Sequence, residues 1–165
     1  MAGYYTNLPS LNQPGPFVGS VAVGLDGVVS YVETPWVDGL NPNTFSFEIW
    51  AKPAVVPNFA YLASSAELNS PRSGWYLAQD NGSTFGYGPA WVVRFFNTNA
   101  AVQSVTLHAT NADNSWINLA VTFDGTTAIL YTNGVAADTE VPTVNGAGLG
   151  YLGSVDGPFT VGIRS

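Results

Sequence analysis

Carboxylate side chains are the first candidates for chemistry in this sequence, because paired carboxyl groups can act as acid and base. Asp138 and Glu140 stand at alternate positions and would share one face of a strand. Glu48 is the single carboxylate of a predicted strand over 44–52. Cleavage of a glycosidic bond uses two carboxyl groups, about 5 Å apart in retaining enzymes and farther apart in inverting ones. The sequence contains no recognisable motif that would supply such a pair.

Other catalytic motifs are also absent. The nucleophile motif Gly-x-Ser-x-Gly and the metal motif His-Glu-x-x-His do not occur, and the chain has no cysteine. His108 and Arg94 could supply part of a lyase site, but an ordinary strand histidine facing solvent is the simpler interpretation of His108. The glycine-rich stretch 146–150 precedes no predicted helix and so predicts no phosphate loop. We therefore expect a protein that is not an enzyme.

Aromatic side chains offer a binding chemistry instead, since they make up 13% of the chain and include five tryptophans. An aromatic face packs against the apolar C–H face of a sugar, and a few polar groups fix its orientation. Trp36, Tyr87 and Trp91 stand in or beside predicted loops, and Trp75 begins a predicted strand. These four are the predicted carbohydrate-binding residues. The alternative is that they pack in the core or cover it beneath loops.

Pairs of oxygen-bearing residues suggest a calcium site as a second candidate. Ca²⁺ takes six to eight oxygen ligands from carboxylates, amides and carbonyls. Asp80 with Asn81, and Asp113 with Asn114, could supply such oxygens. The alternative is that these residues stabilise turns. Calcium is the one cofactor that the sequence suggests.

The charge balance excludes two classes of partner. Four basic residues stand against eleven acidic ones, which gives a net charge of −7. Nucleic acids and anionic lipid surfaces attract basic clusters, and the four basic residues are spread along the chain. No apolar run reaches the ~20 residues that span a bilayer, and residues 1–17 lack the pattern of a signal peptide. We expect a fragment of a longer secreted protein or, alternatively, a protein that acts inside the cell or in a virion.

Short runs of β-branched and aromatic residues, separated by turn residues, predict an all-β fold. Residues 116–123 alternate between apolar and mixed positions, as expected for a strand that buries one face in a two-sheet sandwich. Asp-Gly and Asn-Gly pairs at 26–27, 124–125 and 133–134 predict tight turns. Residues 1–19 are interpreted as an extended lead-in and 20–165 as the domain. Strands are predicted near 20–25, 29–33, 44–52, 59–64, 74–79, 90–97, 101–109, 116–123, 127–132, 135–141 and 159–164.

The segments 116–125 and 130–134 resemble the signature hairpin of the LamG-like jelly-roll family. That signature reads Trp, then Ala, an aliphatic residue, Thr, an aromatic residue and Asp-Gly, followed by Tyr-x-Asn-Gly. Segments 24–33, 45–53 and 161–163 are similar to the family's opening strand pair, next core strand and late aliphatic-Gly strand. These four blocks stand in the family's order over most of residues 20–164. The resemblance implies a two-sheet antiparallel jelly roll of the concanavalin A-like lectin/glucanase type.

The resemblance also implies a function. Hydrolases of this fold carry three acids at alternate positions of one strand, and that motif is absent here. A non-catalytic module is therefore expected, recognising a glycan or polysaccharide within a larger secreted or cell-surface protein. The alternative is a structural, adhesion or virion-decoration module that works through protein contacts. In pentraxin-like relatives the region matching 66–70 supplies early calcium ligands, which implies Glu67 and Asn69 as candidates, although the later ligands fall where this sequence stops.

The resemblance stops before the family's last strand. That strand normally completes one sheet, so we expect an uncovered sheet edge in the part of the chain given. Such an edge can pair with another chain. Alternatively, residues 1–19 could fold over it.

Overall fold

A computed structural model describes residues 3–54, 59–67, 73–96, 103–111, 114–141 and 158–162. These residues form strands joined by turns and one 3₁₀ turn, Asp38–Leu40, with no α-helix among them. None of the described residues lies in a helix long and apolar enough to cross a membrane. The strands are β1 (Tyr4–Thr6), β2 (Ser10–Pro14), β3 (Val21–Gly24), β4 (Tyr31–Thr34), β5 (Phe45–Ala51), β6 (Phe59–Glu67), β7 (Ser73–Asp80), β8 (Ala90–Phe96), β9 (Gln103–Thr110), β10 (Ile117–Phe123), β11 (Ala128–Thr132), β12 (Val135–Glu140) and β13 (Phe159–Gly162).

The described strands form two main sheets and a separate hairpin. The large sheet has the order β1-β4-β13-β6-β7-β8-β9, and the small sheet has the order β12-β11-β10-β5. Strands β2 and β3 pair only with each other among the described strands and form the N-terminal hairpin. All the strand pairs are antiparallel. The predicted all-β class, with antiparallel sheets stacked as a sandwich, is confirmed.

The core lies between the two main sheets because alternate residues of each strand point to the same side. In the large sheet, Leu77, Val93 and Leu107 lie in one row across β7, β8 and β9. Leu119 and Val121 of β10 face them from the small sheet, and all five side chains are fully buried. Burial of each such side chain contributes about 1.5–3 kcal/mol. The apolar face that is predicted from the alternation in residues 116–123 is therefore the face by which the small sheet packs on the core.

The eleven strands predicted from the sequence correspond to β3–β13, with bounds that differ by a few residues. The turn at 133–134 also has the predicted geometry, since Asn133 and Gly134 both have positive φ values of 50° and 79°. Residues 1–19 are predicted to be an extended lead-in, and the described part of this segment, residues 3–19, contains β1 at the edge of the large sheet and β2 of the N-terminal hairpin.

The turn between β3 and β4 is organised by Asp26. Its Oδ1 accepts hydrogen bonds from the backbone N–H groups of Val28, Val29 and Ser30, at 2.9–3.0 Å, and from the Ser30 hydroxyl at 2.8 Å. These donors, with the Ser30 N–H contributing most, lower the pKa of the Asp26 carboxyl far below its ordinary value. The ionised carboxylate therefore holds this turn closed.

We expect Asp26→Asn to lower the melting temperature at pH 7. Because the folded-state pKa is depressed, the carboxylate stabilises the fold above its unfolded pKa of about 3.9. This contribution is lost as the pH falls through the lower folded-state value. The difference between the two proteins should therefore shrink below about pH 4, as measured by thermal melts from pH 7 to pH 2. An equal difference at every pH would contradict the assignment.

The β9 edge of the large sheet is covered by two acids from the small sheet. The Thr106 N–H donates to Glu140 Oε2 at 2.6 Å, and the His108 N–H donates to Asp138 Oδ2 at 2.9 Å. Asp138 and Glu140 lie at alternate positions of β12, so both carboxylates reach the same neighbouring strand. This pair of acids therefore has a structural role, joining the two sheets along one side.

Candidate functional site

The loop 81–89 between β7 and β8 is held by a buried carboxylate at its start. Asp80 is fully buried, and its two oxygens accept hydrogen bonds from the Thr84 and Phe85 N–H groups at 3.3 and 3.1 Å. Asn81 Oδ1 accepts another from the Ser83 N–H at 2.9 Å. These bonds turn the loop back towards the outer face of the large sheet, where the Phe85 ring lies 5.9 Å from that of Phe59.

Aromatic rings carried by this loop form a stack with the histidine of β9. The rings of Phe85 and Tyr87 are 6.5 Å apart with an interplanar angle of 17°. The rings of Tyr87 and His108 are 4.2 Å apart and nearly parallel, at 4°. Tyr87 remains 48% exposed and the His108 side chain 47% exposed. The surface formed by Phe85, Tyr87, Arg94 and His108 is called the aromatic platform below.

The histidine of the platform is fixed from behind. His108 Nδ1 lies 3.2 Å from Asp138 Oδ2, the same oxygen that accepts the His108 backbone N–H. The imidazole is thus oriented by one carboxylate of β12 while its face packs on Tyr87. An oriented ring stack presents a flat surface with little rotational freedom left to lose on binding.

An arginine, Arg94, lies beside this stack and is close to two aromatic rings. The Arg94 guanidinium carbon lies 5.1 Å from the Phe85 ring centroid and 5.3 Å from that of Phe96. Both are cation–π distances. Its Nε is buried without a hydrogen-bond partner, and no acid of the described chain forms an ion pair with it. The site therefore combines an exposed aromatic face with a partly buried donor group.

The structure corrects the prediction for two of the four candidate sugar-binding residues. Trp91 is 1% exposed and Trp75 is 4% exposed, and both belong to the core between the sheets. Trp75 is enclosed by Phe45 and Phe47 of β5, at ring distances of 5.3 and 5.1 Å. Alternation explains both placements, because β7 and β8 turn these positions towards the small sheet. Neither ring offers a face to a ligand in this structure.

Trp36 and Tyr87, the other two candidates, lie at opposite ends of the large sheet. Strands β4 and β6 are both antiparallel to β13 and therefore run in the same direction. Trp36 follows β4, whereas the loop with Tyr87 follows β7, which runs back to the other end. Trp36 is half-buried and donates its indole N–H to Asp38 Oδ1 at 2.9 Å. The two aromatic residues do not form one site.

Three of the four candidate calcium ligands cannot be placed in the structure. Asn69, Asp113 and the Glu67 side chain lie outside the described part of the structure. Asp80 lies within the described part, where its oxygens accept hydrogen bonds from the loop 81–89, and its role as a calcium ligand stays a prediction. The alternative role of Asp80, stabilising a turn, is the one observed.

Sequence analysis missed the partners of Tyr87 in the platform. His108 was interpreted as an exposed strand residue, which agrees with its 47% exposure, but its contact with Tyr87 joins residues 21 positions apart. From the sequence, Arg94 is considered only with His108 as part of a lyase site, and Phe85 is not a candidate. The alternation of β8 and β9 could have placed Arg94 and His108 on one face. No local pattern could have shown that the loop folds over that face.

Comparison with known proteins agrees with this architecture. The family model for laminin-G-type domains, described as the concanavalin A-like lectin/glucanases superfamily, matches residues 26–162. A comparison with curated proteins gives no match. Domains of the laminin-G type are mostly non-catalytic binding modules and are commonly extracellular, so the match supports a binding-type module. Because the matched segment spans most of the sequence, the chain belongs to the concanavalin A-like lectin/glucanases superfamily.

Proposed function

We propose that this chain is a non-catalytic glycan-binding module, acting as part of a secreted or cell-surface protein, and that the aromatic platform contacts the sugar. The observation that carries the proposal is the parallel stack of Tyr87 on His108, which leaves Tyr87 about half exposed. A tyrosine ring supported from behind offers an apolar face to the C–H groups of a pyranose.

Polar groups beside the ring support the same proposal. Arg94 is near the stack and carries a buried Nε–H without an acceptor, while the rest of its guanidinium can donate to sugar hydroxyl oxygens. Convergent polar groups beside an apolar face are typical of small-ligand sites. A shallow site of this kind is expected to bind with a Kd of about μM to mM, or −8 to −4 kcal/mol.

Tyr87→Ala is the direct test. We expect retention on the recognised polysaccharide to fall about tenfold, equivalent to about 1.4 kcal/mol, because the sugar loses its stacking face. Retention is measured by affinity gel electrophoresis with laminarin, xylan, galactomannan and dextran as separate probes. Tyr4→Ala is the matched control, since Tyr4 is an exposed tyrosine of β1 at the far edge of the same sheet. Equal retention of both variants, or no retention of the unaltered chain on any probe, would refute the proposal.

The same gels run with EDTA test the calcium proposal, which rests on the resemblance for Glu67 and Asn69 and on residue type for Asp113. If calcium takes part, retention falls in EDTA and returns when Ca²⁺ is added in excess. Retention that is the same in both buffers would contradict the calcium proposal.

A further inference from the structure

Arg94 carries a positive charge without a counter-ion, although the chain is rich in acids. The sequence has four basic and eleven acidic residues. Among the described residues, the one ion pair joins His108 to Asp138, and Arg94 takes no part in it. The Arg94 Nε is buried and has no hydrogen-bond partner. A guanidinium that has lost part of its water shell is stabilised by an opposite charge. The described part of the chain does not supply that charge.

The guanidinium is held between two aromatic rings. Its carbon lies 5.1 Å from the centroid of Phe85 and 5.3 Å from that of Phe96. Nε is the one nitrogen of this half-buried side chain that is both buried and unpaired, so the two Nη groups are the ones that can face a ligand. Their N–H donors lie in one plane and match the two oxygens of a carboxylate. Because the rings hold the group, little side-chain freedom is lost when an anion binds.

Two acids lie near the platform, and both already have partners. Asp138 Oδ2 accepts the His108 backbone N–H and lies 3.2 Å from His108 Nδ1. Glu140 Oε2 accepts the Thr106 N–H at 2.6 Å. Both acids reach the edge strand β9, whereas Arg94 belongs to β8, one strand further into the sheet. Neither acid forms an ion pair with Arg94, so its charge is available to a ligand.

We infer that the platform recognises an acidic sugar, a glycan residue that carries a carboxylate, as a uronic acid does. The inference rests on the proposed function, because it names the class of glycan for the same site. The sugar ring stacks on Tyr87, and its carboxylate pairs with the Nη groups of Arg94. The Phe85 ring spaces the two contacts, since it lies 6.5 Å from the Tyr87 ring and 5.1 Å from the guanidinium carbon. A neutral sugar leaves the guanidinium without a counter-ion and therefore binds more weakly.

The net charge of −7 does not prevent this binding. Repulsion between an acidic protein and an acidic polysaccharide acts over long distances, and salt at about 0.15 M screens it beyond about 8 Å. A contact between partly buried groups is screened much less. At this salt concentration the local contact with Arg94 therefore decides the preference, and the test is run there.

Acidic polysaccharides and their carboxyl-reduced forms are the matched probes. Reduction of the carboxylate to an alcohol removes the charge and keeps the sugar backbone. Affinity gels contain polygalacturonate, alginate or glucuronoxylan, each beside its carboxyl-reduced form. We expect at least one acidic form to retain the chain about tenfold more strongly than its neutral counterpart, as for a hydrogen bond between charged groups. Arg94→Gln should abolish that difference.

Lys52→Gln is the matched control for charge. Lys52 is exposed and directly follows β5 of the small sheet, so this variant changes the net charge equally without touching the platform. It should keep the preference of the unaltered chain. Dextran sulfate beside dextran tests the kind of anion. Stronger retention on dextran sulfate than on all three carboxylate polymers would overturn the assignment to a carboxylate.

Two further results would overturn the inference and leave the proposed function standing. The first is retention that depends on Tyr87 but is no stronger on the acidic forms than on the reduced ones. The second is a preference for the acidic form that Arg94→Gln and Lys52→Gln reduce equally, which would make it an effect of net charge. No retention on any probe, acidic or neutral, would instead refute the glycan-binding proposal itself, and the inference with it.

Discussion

Replacing Gly74 by alanine is expected to lower the free energy of unfolding by about 2–5 kcal/mol. Gly74 lies in β7 with φ +75°, and an added Cβ would lie 2.0 Å from the Ser65 carbonyl oxygen and 2.9 Å from Ala66 Cα. A side chain in the left-handed region costs about 1–2 kcal/mol, and overpacking typically adds 1–3 kcal/mol or more. The clash involves backbone of the neighbouring strand β6, which cannot move without breaking the pairing of β6 with β7. Urea denaturation measures the change.

Gly134→Ala is the control that measures the cost of the backbone conformation without the steric clash. Gly134 has nearly the same φ, +79°, but no atom lies within 4 Å of the added Cβ. In this variant the free energy of unfolding should fall only by the cost of placing a side chain in the left-handed backbone region, about 1–2 kcal/mol. The difference between the two variants then reports the close approach of β6 and β7. Equal losses would show that β6 and β7 are not packed as described.

Phe95→Ala is expected to destabilise the fold by about 3–5 kcal/mol, because it removes a large side chain from the centre of the core. Phe95 is fully buried, and its ring lies 5.1 Å from Phe123 of the small sheet and 5.7 Å from Phe45. The cavity left behind would open between the two sheets. Since domains are stable by about 5–15 kcal/mol in total, this one change removes a large share, and the melting temperature should fall by roughly 10 °C.

An exposed aromatic residue provides the comparison. Phe17 is exposed and makes an edge contact with Trp50 at 4.9 Å. Phe17→Ala should cost less than about 1 kcal/mol, since the ring is already largely in water. If the two variants melted at the same temperature, the location of the core between the main sheets would be wrong.

The strands could be predicted from the sequence because each carries its own signal. In β10 the apolar residues at 117, 119, 121 and 123 alternate with mixed ones, and this period specifies both the strand and its buried face. The same reasoning applies to the turn at 133–134, where the asparagine-glycine pair tolerates the positive φ values observed.

The candidate site was predictable only in part, because its contacts depend on tertiary structure. Tyr87 was identified from its glycine-rich loop, but its stacking on His108 depends on the path of that loop across β8 and β9. Trp91 stands next to the same loop in sequence, yet it is buried because alternation along β8 turns it inward. A shift of one position along a strand moves a side chain from the core to the surface. Strand bounds predicted from a sequence are uncertain by more than one residue, so they cannot assign each side chain to a face.

The two acids on β12 have a consequence for how copies of this module behave at high concentration. An open strand edge is a template on which further chains can stack into fibrils. Here Asp138 and Glu140 occupy backbone N–H groups of β9 and place negative charge along that side. Two such sides repel each other, so this edge resists sheet-to-sheet polymerisation even when many copies are concentrated together.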